Sequence, residues 1–416
     1  MPYKCDMSNY GSVVEKAERI TGEGGVDRRR ADRDRHMMAA YSERRIGPTL
    51  IIVGGLHGNE PAGVEAMRRV IPELNRLKSK LRGRVYLVAG NTAALEHGVR
   101  FIDADLNRAW TRENMARLST EELCSKSEGL ELTELDGVFD SILVTARNEV
   151  YVLDLHSTSA GGKPFATIGD TLRNRHFAQY FPVRILLGIE EQLEGTMLEH
   201  LNNAGCVTLG FEGGAHGDPA TIQNHAAMIW LALVNAGVIW EEDVPLLENQ
   251  KAKLGHQLSH ARIVEVLHRE AVAPEEEFVM NAGFNNFDPI LKGQVLASNK
   301  HGEIRSPRSG LILMPLYQKL GNDGFFIGRG VSRFWLWLSE MLRRAKVQSF
   351  VEYLPGVSAE PNDPETLTIN THVARFFPLQ IFHLLGFRRR KWVDDQLVVS
   401  RRRHDVDSPF LELGHG

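Results

Sequence analysis

The chain has 416 residues, of which 43% are hydrophobic and 25% charged, with a net charge of −4. That is the balance of a soluble globular protein long enough for two or three domains, and without a global basic field it excludes a general nucleic-acid binder. Its three cysteines, Cys5, Cys124 and Cys206, are scattered, which excludes both a disulfide framework and a thiolate metal site.

The first residues lack an apolar signal core, and no run approaches the roughly 18 to 20 apolar residues of a membrane span. A cytoplasmic location is the expectation. Residues 1–48 are polar and read as an N-terminal arm, with both charge signs mixed over Asp27–Arg35. From Thr49 to Val53 the chain is β-branched and uncharged and predicts a buried strand, and Pro61 suits the first turn of a helix. His57 and Glu60 therefore lie on a strand-to-helix loop. Glycines at 54, 55 and 58 let that loop turn sharply enough for an imidazole and a carboxylate to converge.

Beyond Pro61, apolar residues at 64, 67, 70, 71, 74 and 77 recur at helical spacing, and Val85–Ala89 predicts a second strand ending at Gly90-Asn91. Strand, helix, strand in this order matches a crossover unit of a mainly parallel sheet, whose ligands collect at the carboxyl ends of the strands. Arg100, Asp103, Asp105, Asn107 and Arg108 crowd the next loop. An acidic segment, about Thr111 to Asp136, reads as helix and loop over the surface. Tyr151–His156 predicts a strand with Asp154 and His156 on one face. Val183–Ile189 and Cys206–Phe211 predict two more, with a helix over Glu194–Asn203 between them, and the second runs into Glu212. Asp218-Pro219 then opens a long helix closing near Gly237.

Glu241 to about His260 reads as a boundary. Short β-like runs alternating with Gly, Pro and Asn turns follow to residue 330, a small all-β module. In the remainder, Phe334–Leu338 runs into a helix, and the apolar stretch Phe376–Phe387 precedes basic clusters at 388–391 and 401–403. An apolar segment followed by basic residues could touch a membrane surface, but packing against the rest of the protein is favoured. The expected organisation is thus an arm (1–48), a catalytic domain (49–245), a β-rich domain (261–330) and a helical, basic extension (331–416).

Three strand ends now offer His57 with Glu60, His156, and Glu212, all at one edge of the sheet. Two histidines and a carboxylate with an open fourth position are the usual ligands of catalytic zinc, because water there has its pKa lowered toward about 7. Glu212 is then free to act as base. Neither a phosphate-loop lysine nor dinucleotide-binding glycine spacing accompanies the Gly-rich loop.

Residues Gly54–Glu60, Gly90-Asn91, Arg100–Arg108, Asp154–Thr158 and Gly210–Gly213 resemble, in order and spacing, the succinylglutamate desuccinylase and aspartoacylase group of the zinc carboxypeptidase superfamily. The resemblance covers about residues 49–329. It implies an α/β fold with a mixed, mainly parallel sheet flanked by helices and a smaller β-rich C-terminal domain. It further implies one Zn²⁺ per chain on His57, Glu60 and His156, with Glu212 as general base and proton shuttle. Arg100 would polarise the scissile carbonyl, Asn107 and Arg108 would grip a substrate carboxylate, and Tyr317 would correspond to a tyrosine lent by the β module. Asp154, Asp103 and Asp105 are candidates to orient the imidazoles. Relatives that cleave N-acetylaspartate carry an additional arginine where this chain has His200–Cys206, which counts against an aspartate-type substrate. The expected activity is hydrolysis of an amide in a small N-acylated amino acid or related carboxylate. The alternatives are a zinc carboxypeptidase acting on peptides or cell-wall fragments, and a zinc-binding regulatory protein without turnover, which would need neither Glu212 nor Arg100.

Overall fold

The computed structural model describes residues 35–42, 46–118, 120–244, 246–255, 262–318, 320–360, 363–370, 379–393 and 396–412. Residues 1–34, and with them most of the expected arm, lie outside the described residues, as do 256–261 of the expected boundary and 376–378 of the apolar stretch. Arm residues Met37–Ser42 form a strand, β1.

Eight more segments build the centre of the molecule. β2 is Thr49–Gly54, β3 Arg84–Ala89, β4 Val150–Thr158, β5 Phe165–Ile168, β6 Arg184–Leu187, β7 Val207–Ala215 and β8 Ile263–Ala271, and helix α1 spans Ala62–Leu77. Every residue of β2 is buried, as a strand flanked by parallel neighbours and covered on both faces must be. β3, β2, β4 and β7 run parallel in that spatial order. α1 buries Val64, Met67, Val70 and Leu74, the residues whose spacing predicts it. Helix α2 (Ser127–Thr145) packs on the sheet through Leu132, Leu135 and Phe139. Helices α3 (Leu172–Ala178), α4 (Met197–Asn203) and α5 (Pro219–Asn235) complete the cover, and the Asp218 carboxylate caps α5 by accepting from Ala220 N at 2.8 Å.

The sheet does not stop at β8. β9 (Val279–Met280), β10 (Pro289–Ile290), β11 (Val295–Asn299), β12 (Gly302–Arg305), β13 (Gly310–Leu313) and β14 (Asp323–Gly330) follow in sequence. β14, β13 and β10 continue the main sheet past β8, giving eleven strands in the order β1-β3-β2-β4-β7-β5-β6-β8-β14-β13-β10, while β12-β11-β9 form a small separate sheet. The architecture is the expected one, a large mixed, mainly parallel sheet flanked by helices with a smaller β-rich C-terminal part.

The acidic segment is corrected in its second half. Arg112–Ala116 and Glu121–Cys124 are short helices with no buried residue, as expected, but Glu128 and Glu131 on α2 are buried, because both accept backbone N–H groups of other segments.

After β14, helix α6 (Arg333–Arg344) turns Leu336, Ser339, Leu342 and Arg343 inward and leaves Phe334, Trp335 and Trp337 exposed. Strands β15 (Val357–Glu360), β16 (Asp363–Ile369), β17 (Arg389–Val393) and β18 (Gln396–Ser400) form a four-stranded antiparallel sheet in the order β15-β16-β18-β17. Helix α7 (Leu379–Leu384) packs on it, with Phe382, Leu385 and Phe387 buried in a separate core. Of the two basic clusters, Arg388 and Arg402 pair with buried acids of the central part, Arg388 with Asp170 and Glu265 and Arg402 with Glu190 and Glu191. Among the described residues, no helix is long and apolar enough to cross a membrane.

Candidate metal centre

The loop leaving β2 can hold two side chains on one point because its backbone meets other backbone closely. Gly55 has φ +76°, and a Cβ on Gly58 would stand 2.0 Å from the carbonyl carbon of Ala94, so only glycine fits at 58. The loop delivers His57 and Glu60, and β4 delivers His156 from the neighbouring parallel strand. His57 Nδ1 stands 3.0 Å from Glu60 Oε1, and His156 Nδ1 3.2 Å from Glu60 Oε2. Ser157 N donates to Glu60 Oε2 at 2.8 Å and fixes the carboxylate from below.

The other nitrogen of each imidazole faces an acid. His57 Nε2 is 3.1 Å from Asp105 Oδ1 and His156 Nε2 is 2.7 Å from Asp154 Oδ2. Two of the three candidate orienters thus do orient an imidazole, and Asp154 does so through the alternation of β4. The third, Asp103, accepts from Ser127 N at the start of α2 instead.

With Nε2 of each imidazole against Asp105 or Asp154, each Nδ1 faces Glu60, where either a proton or a metal ion must lie between nitrogen and carboxylate. One donor atom from each of His57, Glu60 and His156 lies within 4.8 Å of the others. These residues could hold a metal ion, and two imidazoles with one carboxylate suit zinc. Burial alone would raise the Glu60 carboxyl, but His57 and His156 hold it well below the usual carboxylate range. Burial would lower His156, yet Asp154 and Glu60 raise it well above the usual imidazole value.

Glu212, on β7 and directly across the ladder from His156, lines the same cavity. It is 8% exposed, its Oε2 has no hydrogen-bond partner among the described residues, and burial pushes its carboxyl up to about 7 against the opposing pull of His156. Arg100 lines the cavity too, donating to Asp105 Oδ2 at 2.9 Å and standing 3.7 Å from Glu60 Oε1.

The other expected contributors are differently engaged. Arg108 lines the cavity but is paired with Asp323 of β14 at 3.0 Å. Asn107 Oδ1 accepts from Met197 N, at the start of α4, at 3.0 Å. Tyr317 is 39% exposed and is not among the cavity-lining residues. Its hydroxyl accepts from Phe284 N and is within hydrogen-bond distance of the Asn281 and Phe284 carbonyls, tying one turn of the β-rich part to another.

Residues that sequence reasoning passed over complete the site. Glu128, 2% exposed, accepts from Ile102 N, Asp103 N and Asn91 Nδ2 at 2.7 to 3.0 Å and so pins the Arg100–Arg108 loop to the end of β3. His216, just past β7, lines the cavity and faces Ser157 Oγ at 2.8 Å. Glu190, after β6, also lines it. The only signal for His216 is its place in the Gly213–His216 run after Glu212. Glu128 and Glu190 carry none, since nothing local distinguishes a buried glutamate from a solvated one.

These features define an α/β protein with a buried cluster of two imidazoles and a carboxylate at the carboxyl edge of its sheet. Residues 46–218 match the family model of the succinylglutamate desuccinylase/aspartoacylase catalytic domain. It is 32% identical over 155 residues to a succinylglutamate desuccinylase of Pseudomonas putida, covering 36% of this chain and 41% of the relative. An N-acyl-aromatic-L-amino acid amidohydrolase (carboxylate-forming) of Xenopus laevis is 28% identical over 148 residues, 33% of this chain and 47% of the relative. The matches therefore span less than half the length of these curated relatives. A crystal structure of a succinylglutamate desuccinylase/aspartoacylase from Rhodobacter sphaeroides aligns over 69% of this chain and 87% of its own, with TM-score 0.51 and 18% identity. At that identity it shows the shared fold.

Proposed function

We propose that the chain is a zinc-dependent deacylase that hydrolyses the amide of a small N-acyl amino acid or related carboxylate. One observation carries the reading. His57, Glu60 and His156 stand in a single cavity with Glu212, a buried carboxylate that lacks a hydrogen-bond partner, and with Arg100. Zinc held by the three ligands would supply Lewis acidity, lowering the pKa of a water in the site toward about 7.

The chain's own groups account for the rest. Glu212 takes the proton of the attacking water and returns it to the leaving amine. Arg100, fixed by Asp105, presents its guanidinium where the carbonyl oxygen gains charge, so it stabilises the transition state more than the ground state. Asp105 and Asp154 keep the two imidazoles in the orientation that turns Nδ1 toward Glu60, where the three residues would hold the ion. Residues 49–245 carry the chemistry in this reading, and residues 261–330 supply a wall. Leu316, Gln318, Asn322 and Asp323 of that wall line the cavity, which supports a small ligand over a peptide. Elemental analysis of the purified protein, with hydrolysis of a panel of N-acyl amino acids and short peptides, tests the proposal. Absence of zinc, or cleavage of peptides alone, would end it.

A further inference from the structure

Glu190 is used by nothing in the chemistry above, yet it is 4% exposed and lines the same cavity. Its two oxygens differ. Oε2 is 3.2 Å from Arg402 NH2, a guanidinium that is shared with Glu191 at 3.4 Å and arrives from the far end of the chain. Oε1 is fully buried and has no hydrogen-bond partner among the described residues. A buried carboxylate oxygen without a donor is costly to keep, and here it belongs to a residue that lines the cavity.

The guanidinium of Arg108, suited to a substrate carboxylate, lines the same cavity and is already paired with Asp323. Ile189, Leu193 and Leu198 are among the residues that line the cavity. Burial pushes the Glu190 carboxyl up to about 7, Arg402 pulling it back only in part, which is the state of an acid that gains from a second cation.

We propose that Glu190 anchors a primary ammonium carried at the end of an aliphatic arm of the ligand. The inference rests on the deacylase reading of the cavity and names the kind of amino acid it takes. One free oxygen suits a compact ammonium, whereas a guanidinium is best met by two oxygens side by side, and Arg402 already occupies the second. Ile189, Leu193 and Leu198 cover the methylenes of the arm. Arg402 is a positioning residue that turns Oε1 toward the cavity, so the C-terminal extension sets ligand preference without reaching the metal ligands.

Isothermal titration of the full-length, zinc-loaded protein with N-acetyl-L-lysine, N-acetyl-L-norleucine, N-acetyl-L-arginine and N-acetyl-L-glutamate tests this without requiring turnover. The lysine compound is expected to bind about tenfold or more tighter than the norleucine compound, the step of one charged hydrogen bond. Glu190→Gln should bring the two within about twofold by weakening only the lysine compound. Norleucine, arginine or glutamate compounds binding as tightly as lysine, no measurable lysine binding, or unchanged discrimination in Glu190→Gln would overturn the inference. The wild-type series decides by itself should the variant not fold. Hydrolysis of the same four compounds separates the two readings. Ammonium preference without hydrolysis keeps the anchor and removes the deacylase, and hydrolysis without preference does the reverse.

Discussion

Two buried carboxylates organise this molecule, and they differ in what surrounds them. Glu60 sits between two imidazoles, at 3.0 and 3.2 Å. Asp170, in the turn between β5 and α3, sits among three guanidiniums. Arg175 approaches at 2.6 and 2.9 Å, Arg343 at 2.9 Å, and Arg388 adds a third contact. Both acids are held well below the usual carboxylate range against the opposing push of burial. An imidazole can give up its proton and leave a lone pair for a metal ion, so the first cluster can exchange protons for a metal ion. Guanidiniums keep theirs, so the second is a permanent clamp. It fastens α6 and the segment after α7 onto the central part.

Removing a ligand breaks the first cluster most severely. His156→Ala or His57→Ala should take zinc content from about one per chain to near none and abolish turnover, read by elemental analysis and hydrolysis. Full metal retention in both variants would place the metal elsewhere. Glu212→Gln should keep zinc and lower kcat by roughly 10² to 10⁴, because an amide holds water but accepts no proton. A variant within a few-fold of wild type would remove Glu212 from the mechanism.

The clamp should answer to stability instead. Arg343 is 0% exposed and also contacts Asp405 at 3.3 Å and the Leu384 carbonyl at 3.1 Å. Arg343→Met should cost about 3 to 5 kcal/mol, since it strips a partner from buried acids, and should lower the urea midpoint with zinc content unchanged. Zinc loss in parallel with unfolding of the tail would show the clusters to be coupled.

A pH series sharpens the same contrast. Burial favours the neutral form of Glu265 on β8, but His383 and Arg388 bring its carboxyl down from 4.5 to about 2. A carboxylate depressed in the folded state contributes stability that is complete above about 4.5 and lost as pH falls toward about 2. The urea midpoint should therefore fall across that window, and Glu265→Gln should flatten the slope. An unchanged slope would remove Glu265 from the tail's attachment.

How much of this was legible in the sequence follows from how local each signal is. β2, β3, β4 and β7 are apolar runs with glycine at or just past their ends, and their ends carry His57, Asn91, His156 and Glu212, so both the strands and the cluster could be read from spacing. β8, Ile263–Ala271, could not. Its polar positions Glu265 and His268 look like surface, yet Glu265 is buried under Arg388, more than a hundred residues away. β1 is built of Met, Ala, Tyr and Ser, with little intrinsic strand preference. Glu128 and Glu131 look like a solvated charge run because their partners are backbone groups of other loops. The tail's sheet was hidden in the same way, its strands being short and its basic residues paired with acids from the centre.

The smallest expected effect concerns Arg108, where the family resemblance implies a substrate grip and the structure adds a competitor. Arg108 and Asp323 are 3.0 Å apart, with their side chains 24% and 17% exposed, and Asp323 also accepts from Arg269 at 2.6 Å. A carboxylate ligand must share or displace that contact. Pairs at this exposure are worth about 0.2 to 1 kcal/mol, so Asp323→Asn should lower KM for carboxylate substrates by about fivefold at most and leave kcat nearly unchanged. Arg108→Ala should raise KM for the same substrates and do little to analogues with the carboxylate capped as an amide. Should Asp323→Asn raise KM instead, Asp323 would be holding Arg108 in its binding pose, and the pair would be part of the grip.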